Sequence, residues 1–495
     1  AETLAAGRGA LVLVPEIALT PQTFARFSAR FPGRVAVLHS GLGAGERFDQ
    51  WERVAQGRAP VVIGARSAVF APVRDLGLVI VDEEHETSYK QEESPRYHAR
   101  EVALERARRA GALCVLGSAT PSLESYVQAQ AGRFRLIRLT RRVDGRELPP
   151  VDVVDMRAEM VAGNRSIFSR RLTEALRECL ARGRQAVLFL NRRGFSQFML
   201  CRECGHVVRC PDCAVSYTYH AAPTEHLRCH YCDALQPVPA HCPQCGGPYL
   251  RPFGAGTQRV ETLVRELFPH ARVRRMDLDT TARKGSHTAL FEAVRRGEVD
   301  VIVGTQMVAK GLDFPNVTLV GVVAADSALH VPDFRAAERT FQLLVQVGGR
   351  AGRGADPGRV IVQTYQPDHY SIAAARVYDD DGFYRREAAY RQGGGYPPFT
   401  ALVRILISGP EGVAEAAKAV ARAVRQCAAG ADVTVTGPAP APLQRLRGRE
   451  RWHVIIKGQG DGPRQVAMAA REMWRPLLGR GGVSVAIDVD PVSLL

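Results

Sequence analysis

The chain has 495 residues and a net charge of +15 at pH 7, from 66 lysines and arginines against 51 aspartates and glutamates. A hydrophobic content of 46% with 24% charged residues is ordinary for a globular protein, and the length allows roughly three or four domains. The sequence has no run of 18 apolar residues, which excludes a membrane-spanning helix, and residues 1–16 lack a signal-peptide pattern, so we expect a cytoplasmic protein without a membrane partner.

The excess of positive charge favours a polyanionic partner, most often nucleic acid. A general preference for arginine over lysine would give the same excess, and acidic residues are also numerous. Charge alone therefore leaves both interpretations open.

Short apolar runs alternate with helical segments in two successive sets, which predicts two doubly wound parallel sheets and an α/β fold. The first set lies at 9–16, 35–40, 60–65, 76–84 and 112–120. The second set lies at 185–193, 272–277, 299–306, 317–326 and 359–365.

Two segments rich in proline and glycine predict the domain boundaries. They are RRVDGRELPP at 141–150 and GGGYPP at 393–398. We expect a first lobe at 1–140, a linker and the start of a second lobe at 141–197, a cysteine-rich module at 198–250, the remainder of the second lobe at 251–392, and a small C-terminal α/β domain that binds DNA at 393–495.

Eight of the eleven cysteines form four Cys-x-x-Cys pairs within 45 residues. Each pair can present two thiolates to one metal ion, so the four pairs predict two closed, structural Zn²⁺ sites. A disulfide cluster is the alternative, which a cytosolic compartment disfavours. The pairs are Cys201/Cys204, Cys210/Cys213, Cys229/Cys232 and Cys242/Cys245.

The loops between the pairs indicate how the cysteines share two ions. Five residues separate the first two pairs, fifteen the middle two and nine the last two. The middle spacing matches a zinc ribbon, which favours a nested arrangement with the inner two pairs on one ion and the outer two on the other. An interleaved cross-brace, first pair with third and second with fourth, is the alternative. We expect the module to project from the second lobe and to present Arg228 and Tyr231 to DNA or to a partner protein.

Asp82-Glu83-Glu84-His85 follows an apolar strand, at the edge where an open α/β sheet binds its ligand. Asp82 can hold Mg²⁺, usually through water, and Glu83 can deprotonate an attacking water. The segment Gly117-Ser118-Ala119-Thr120 ends the next strand. In the second set, Arg350 and Arg353 are placed to reach a γ-phosphate, although a solvated basic loop would look the same.

The ordered motifs resemble the superfamily-2 helicases and, within them, the PriA family of replication-restart helicases. The match extends over essentially all 495 residues, and the zinc module in the second lobe separates this family from other helicases. The matching segments are PEIALTPQ at 15–22, LHSGL at 38–42, GARSAVF at 64–70, VDEEH at 81–85, SYKQEESPRYHARE at 88–101, GSATPSLES at 117–125, FLNRRGF at 189–195, GTQMVAKGLDFPNV at 304–317, DFRAAER at 333–339 and QVGGRAGR at 346–353.

The resemblance implies two RecA-like lobes that close on ATP with Mg²⁺ and drive 3′ to 5′ unwinding of DNA. It implies stalled or abandoned replication forks as the site of action. The implied partners are branched DNA, single-stranded DNA, other primosome proteins and the single-stranded-DNA-binding protein, and the implied zinc pairing is the nested one. The nucleotide contacts that it implies are Asp82, Glu83, His85, Gly311, Asp313, Gln346, Arg350 and Arg353, and the coupling residues are Ser118, Ala119 and Thr120.

Two segments are candidates for DNA contact. Residues 88–101 carry Tyr89, Lys90, Arg96 and Tyr97, and aromatic residues interleaved with bases suit nucleobase stacking and phosphate pairing. The resemblance implies an aromatic-rich loop here that couples DNA binding to hydrolysis, whereas tyrosines packed on the lobe surface are the alternative. The second segment, 445–452, offers Arg449 and Trp452, with a solvated basic hairpin as the alternative.

The sequence departs from the family at its amino terminus. It contains no Gly-x-x-x-x-Gly-Lys-Ser/Thr phosphate loop and begins at Ala1. We expect an amino-terminal truncation, and we expect this chain alone to hydrolyse little ATP, because the loop amides and lysine that hold the phosphates are missing. A non-hydrolysing DNA-binding and protein-loading scaffold is the alternative function.

Overall fold

The computed structural model describes residues 1–15, 21–139, 145, 147–190, 197–213, 215–221, 224–253, 256–276, 286–305, 314, 316–352, 356–475 and 482–494. The chain divides into two compact units, Ala1–Tyr126 and Val127–Leu495, which are described separately below. No helix in these described ranges is long and apolar enough to cross a membrane.

The first unit is built on a five-stranded parallel sheet. Its strands are β1 (Gly9–Leu13), β2 (Val35–Leu38), β3 (Val61–Gly64), β4 (Leu76–Asp82) and β5 (Leu113–Gly117), in the order β2-β3-β1-β4-β5. Its helices are α1 (Glu2–Ala5), α2 (Pro21–Arg30), α3 (Ala44–Ala55), α4 (Ala99–Ala110) and α5 (Leu123–Gln130). Strands β1 and β3 are buried along their whole length, because helices cover both faces of a doubly wound sheet.

Strands β4 and β5 lie side by side and end together. Asp82 at the end of β4 pairs with Gly117 at the end of β5. The acidic tetrad (Asp82–His85) and the GSAT segment (Gly117–Thr120) therefore leave the sheet at the same carboxyl edge, which is where open α/β sheets bind ligands.

The second unit contains the remaining strands and helices. Its strands are β6 (Val151–Asp155), β7 (Gln185–Phe189), β8 (Phe198–Cys201), β9 (Thr218–His220), β10 (His226–Arg228), β11 (Leu235–Pro237), β12 (Leu250–Phe253), β13 (Val273–Met276), β14 (Val301–Gly304), β15 (Val317–Val322), β16 (Arg359–Thr364), β17 (Ala401–Gly409), β18 (Val433–Leu446), β19 (Arg449–Gly458) and β20 (Ser484–Val489). Its described helices are α6 (Met156–Val161), α7 (Arg170–Ala181), α8 (Thr257–Leu267), α9 (Ser286–Arg295), α10 (Asp326–Leu329), α11 (Ala336–Gly348), α12 (Tyr370–Val377), α13 (Asp380–Gly393), α14 (Val413–Ala428) and α15 (Gly462–Trp474).

Six of these strands form a second parallel sheet in the order β13-β14-β7-β15-β16-β6. Strand β6 was not predicted, because Asp152 and Asp155 interrupt its apolar pattern. It lies at the sheet edge beside β16, where Asp152 forms an ion pair with Arg359 at 2.7 Å. The two predicted parallel sheets are thus confirmed, with one additional edge strand.

The cysteine-rich module lies between β7 and α8 in the sequence. It consists of a β8–β12 antiparallel pair and a three-stranded antiparallel sheet in the order β11-β10-β9. The C-terminal domain that follows has an antiparallel sheet in the order β18-β19-β17-β20, and α14 and α15 pack with it around a shared apolar core. An α/β fold with two parallel sheets, an inserted cysteine-rich module and a small terminal α/β domain agrees with the sequence prediction.

Candidate nucleotide site and zinc module

The acidic tetrad begins at the carboxyl edge of the first unit's sheet. Glu83 has a φ of 47°, a left-handed conformation that few non-glycine residues adopt. Its amide donates to Asp82 Oδ1 at 3.1 Å, and the Glu84 amide donates to the carbonyl of Gly117 at 3.0 Å. Although Asp82 is exposed, nearby protein atoms partly desolvate its carboxyl group and raise its pKa, while the Glu83 amide and His85 act in the opposite direction. A bound Mg²⁺ ion would favour the ionised form.

His85 connects the tetrad to the GSAT segment. Its Nδ1 atom lies 2.7 Å from Ser118 Oγ, which also accepts a hydrogen bond from the Thr120 amide at 2.9 Å. His85 Nδ1 is also 3.7 Å from Glu83 Oε2. Of the predicted coupling residues, Ser118 makes the direct contact, while Ala119 and Thr120 complete the same turn.

Glu84 differs from Glu83 because its carboxylate is buried. Arg100 on α4 donates to it at 2.8 Å, the Ser122 amide at 2.6 Å and the Ser125 hydroxyl at 2.9 Å. Glu84 is therefore a structural residue that links the tetrad to the helix after GSAT. The sequence analysis missed this role, for which the serines of GSATPSLES were the available signal.

The structure corrects two of the predicted DNA contacts. Tyr89 is completely buried and Lys90 nearly so, which leaves neither side chain available to a nucleic acid in this structure. Tyr89 ends a short 3₁₀ turn (Thr87–Tyr89) and belongs to the apolar core beneath the sheet. A large aromatic ring gains more from burial here than from exposure on a loop.

Arg96 and Tyr97 remain at the surface. Both are half-buried, and the Tyr97 ring contacts Phe70 edge-on with centroids 5.0 Å apart. The exposed residues just before them include Glu92 and Glu93, so the loop tip is not uniformly basic. The contact of Arg96 and Tyr97 with DNA therefore stays a prediction.

In the second unit, Gln346 and Arg350 lie at the end of α11. Gln346 is in the last turn of the helix, Arg350 follows its end, and both are half-buried. Gly311, Asp313 and Arg353 fall outside the described residues, so their roles stay predictions.

A buried ion network fixes the beginning of α11. Arg391 on α13 is fully buried; its Nε atom donates to Glu387 at 2.8 Å, and its guanidinium also pairs with Glu338 in the first turn of α11. Tyr370 donates to Glu387 at 2.7 Å. Because buried charges are tolerated only when paired, these contacts hold α11 and α13 together. No sequence pattern indicated this network.

The eight paired cysteines form two clusters, and their sulfur atoms lie within 4.8 Å of one another in each. Representative Sγ–Sγ distances are 3.7 Å for Cys201–Cys245, 3.6 Å for Cys204–Cys242 and 3.7 Å for Cys210–Cys232. Four thiolates at about 2.3 Å from one Zn²⁺ ion need separations of roughly 4 Å, so both clusters fit zinc. The outer cluster is Cys201, Cys204, Cys242 and Cys245, and the inner cluster is Cys210, Cys213, Cys229 and Cys232, which is the nested grouping and not the cross-brace.

In three of the four Cys-x-x-Cys turns, here called knuckles, the described residue after the second cysteine shapes the turn. Gly205, Asp233 and Gly246 all have positive φ, and each donates its amide to the carbonyl of the first cysteine of its pair, at 2.8 to 3.0 Å. Gly205 is also required by packing, since a Cβ atom there would lie 2.2 Å from the carbonyl oxygen of Tyr365.

The prediction that the module presents Tyr231 to a partner is wrong for this structure, whereas Arg228 is partly exposed and its contact with a partner stays a prediction. Tyr231 is buried, and its hydroxyl accepts a hydrogen bond from the Phe334 amide at 3.2 Å. Arg228 pairs with Asp233 at 2.5 Å and lies over the ring of Trp452. Both side chains make packing contacts because the Cys229–Cys232 turn, called the inner knuckle below, lies against the second lobe and the C-terminal domain.

The predicted DNA contacts of the C-terminal hairpin, Arg449 and Trp452, are half-buried and make contacts within the domain, and their contact with DNA stays a prediction. Arg449 donates to the carbonyls of Ser408 and Gly482 at 2.9 and 2.8 Å, and Trp452 is half-buried beside the domain core. The exposed basic residues of this hairpin are Arg445 and Arg447, at its tip.

The two parallel sheets, with an acidic tetrad after one strand and GSAT after the next, define a protein of the helicase class. Residues 2–129 match the DEAD/DEAH box helicase family and residues 253–355 match the helicase conserved C-terminal domain. Residues 210–237 match the PriA DNA helicase Cys-rich region (CRR) domain, and residues 392–492 match the primosomal protein N C-terminal domain.

Three relatives carry the same name, replication restart protein PriA. That of Bacillus subtilis is 50% identical over 497 residues, with 100% of this chain and 62% of the relative covered. That of Synechocystis is 46% identical (100% and 60% covered), and that of Treponema pallidum is 42% identical (99% and 74% covered). The chain belongs to the family of replication restart protein PriA. It spans about three fifths of the length of the first two relatives.

Proposed function

We propose that the full-length protein is an ATP-dependent DNA helicase of replication restart. Membership of the PriA family supports this proposal, and the contact that carries it is the 2.7 Å bond between His85 and Ser118. This bond joins the acid pair that would act on ATP to the GSAT turn, through which a nucleotide-dependent movement could be passed on.

The chemical roles follow from residue type and position. Asp82 would hold Mg²⁺ and Glu83 would activate the attacking water, with His85 and Gln346 as further nucleotide contacts. Arg350 and Arg353 would stabilise charge on the γ-phosphate, and Gly311 and Asp313 are proposed as further nucleotide contacts. The two cysteine clusters would each hold one Zn²⁺ ion in a closed, structural site.

We further propose a cytoplasmic protein that translocates 3′ to 5′ on branched and single-stranded DNA at stalled forks. Other primosome proteins and the single-stranded-DNA-binding protein are its proposed partners. The net charge of +15 and the family's name support a role on DNA during replication restart.

ATP hydrolysis by the full-length gene product tests this proposal. We expect forked DNA to stimulate hydrolysis and Glu83→Gln to lower kcat at least about 100-fold, because a general base is lost. Glu105→Gln, at an exposed position on α4, is the matched control and should leave kcat within about twofold. Absence of DNA-stimulated hydrolysis in the wild type would refute the proposal.

A further inference from the structure

The buried hydroxyl of Tyr89 contacts the backbone of the acid pair. It donates a 2.7 Å hydrogen bond to the carbonyl oxygen of Asp82, and the side chain has no exposed surface. The bond therefore reaches the peptide group that joins Asp82 to Glu83, seven residues earlier in the chain.

This peptide group sets the direction of Glu83. A φ of 47° is costly for a residue with a side chain and persists only where neighbouring contacts hold it. Two such contacts are on either side of Glu83: the Tyr89 bond to the Asp82 carbonyl, and a 2.8 Å bond from the Glu86 amide to the Glu83 carbonyl. Rotation of the Asp82–Glu83 peptide would change φ of Glu83 and move its carboxylate.

The backbone on both sides of Tyr89 is held in place and leads directly into the surface loop. Arg66 donates to the carbonyls of Ser88 and Lys90, at 3.1 and 2.8 Å, and so holds the backbone on both sides of Tyr89. Directly after it, Lys90 and His98 form an antiparallel bridge, and the Gln91 amide donates to the Tyr97 carbonyl at 2.8 Å. The loop that carries Arg96 and Tyr97 is thus closed at a neck that begins next to Tyr89.

We propose that Tyr89 is a positioning residue for the acid pair, not a DNA contact. Its hydroxyl holds the Asp82–Glu83 peptide so that Glu83 points at the attacking water. This inference rests on the proposed function, because it assigns Tyr89 a part in the same hydrolysis.

Tyr89→Phe in the full-length gene product tests the inference, because it keeps the buried ring and removes the hydroxyl alone. We expect DNA-stimulated kcat to fall about 3- to 10-fold, the fold-change that corresponds to the net contribution of one hydrogen bond that positions Glu83. The KM for ATP and the Kd for forked DNA should stay within twofold. A residue that only stabilised the fold would not separate kcat from KM in this way.

Tyr219→Phe is the matched control, since it also removes a tyrosine hydroxyl that donates a hydrogen bond, here to Glu225 in the cysteine-rich module. It should leave kcat unchanged. Hydrogen exchange of the Glu84 and Glu86 amides gives a second readout, and Tyr89→Phe should accelerate it at least threefold.

The outcomes separate the inference from the proposed function. A wild type that hydrolyses ATP, with Tyr89→Phe at wild-type kcat, would overturn the inference alone. A wild type without ATPase activity would refute the proposed function. Hydrogen exchange of the Glu84 and Glu86 amides would then test whether Tyr89 holds the Asp82–Glu83 turn. Unchanged exchange in Tyr89→Phe would overturn the inference in that case.

Discussion

His230, between two cysteines of the inner cluster, has its Nδ1 atom 2.8 Å from the carbonyl oxygen of Pro440 in the C-terminal domain. A carbonyl can only accept, so Nδ1 carries the proton. In return, His453 donates from Nε2 to the carbonyl of His230. The inner knuckle and strands β18 and β19 are therefore joined by a reciprocal pair of buried hydrogen bonds.

Ser493 and Leu494 pack against the inner knuckle and the residues that precede α11. Asp333, just before α11, accepts hydrogen bonds from the Ser493 hydroxyl at 2.9 Å and the Leu494 amide at 3.3 Å. Leu494 is fully buried in an apolar cluster with Tyr231 and Phe334. The outer cluster instead lies against the end of β16, where Gln366 donates to the carbonyl of Gly205 at 2.6 Å.

We therefore predict different consequences of losing each metal. Cys232→Ser in the inner cluster should remove one Zn²⁺ ion per chain and accelerate hydrogen exchange of residues 492–494, because their docking surface depends on the folded knuckle. Cys245→Ser in the outer cluster should also remove one ion but leave the exchange of 492–494 unchanged. Equal acceleration in both variants, or none in Cys232→Ser, would contradict separate roles for the two clusters.

The two adjacent glutamates of the tetrad should separate activity from stability. Glu84→Gln removes the buried carboxylate that pairs with Arg100, which then keeps only its ion pair with the exposed Glu101, and we predict that it lowers the free energy of unfolding by about 3 kcal/mol. The Glu83 side chain is partly exposed, so Glu83→Gln should change the free energy of unfolding by less than about 0.5 kcal/mol. Urea unfolding of both variants measures this difference, and equal stability would show that the Glu84–Arg100 pair is not structural.

Arg391 should be the most sensitive position of the second unit's ion network. Arg391→Met keeps an unbranched apolar side chain but removes the cation that Glu338 and Glu387 share, and we predict a loss of about 3 to 5 kcal/mol of stability. Arg386→Met, at an exposed position on the same helix, is the control and should cost less than about 0.5 kcal/mol. Thermal unfolding of the pair checks the prediction; similar melting temperatures would contradict it.

The features that local sequence could predict are those set by nearby residues. The continuous apolar run of β1, the turn of Asp82–His85 after β4 and the nested cysteine pairs follow from strand patterning and loop length. The pairing was predictable because five residues between the first two pairs are too few for them to share one ion easily.

The features that could not be predicted depend on residues distant in the chain. Burial of Tyr89 depends on the sheet above it, and Tyr231 is covered by segments more than a hundred residues later. Arg391 looks like any surface arginine until α11 supplies Glu338. Strand β6 needs Arg359 on β16 to offset its aspartate, so no local pattern marks it as a strand.

Strand separation by the full-length gene product tests the central claim most directly. The assay uses a duplex with a single-stranded tail at either its 3′ or its 5′ end, with and without ATP and Mg²⁺, and Glu83→Gln as the inactive reference. We predict ATP-dependent separation of the duplex with the 3′ tail but not of the duplex with the 5′ tail, because the protein would move 3′ to 5′ along the tailed strand. This separation should disappear in Glu83→Gln. Binding of both substrates without any ATP-dependent separation would contradict the helicase account and favour a DNA-binding scaffold.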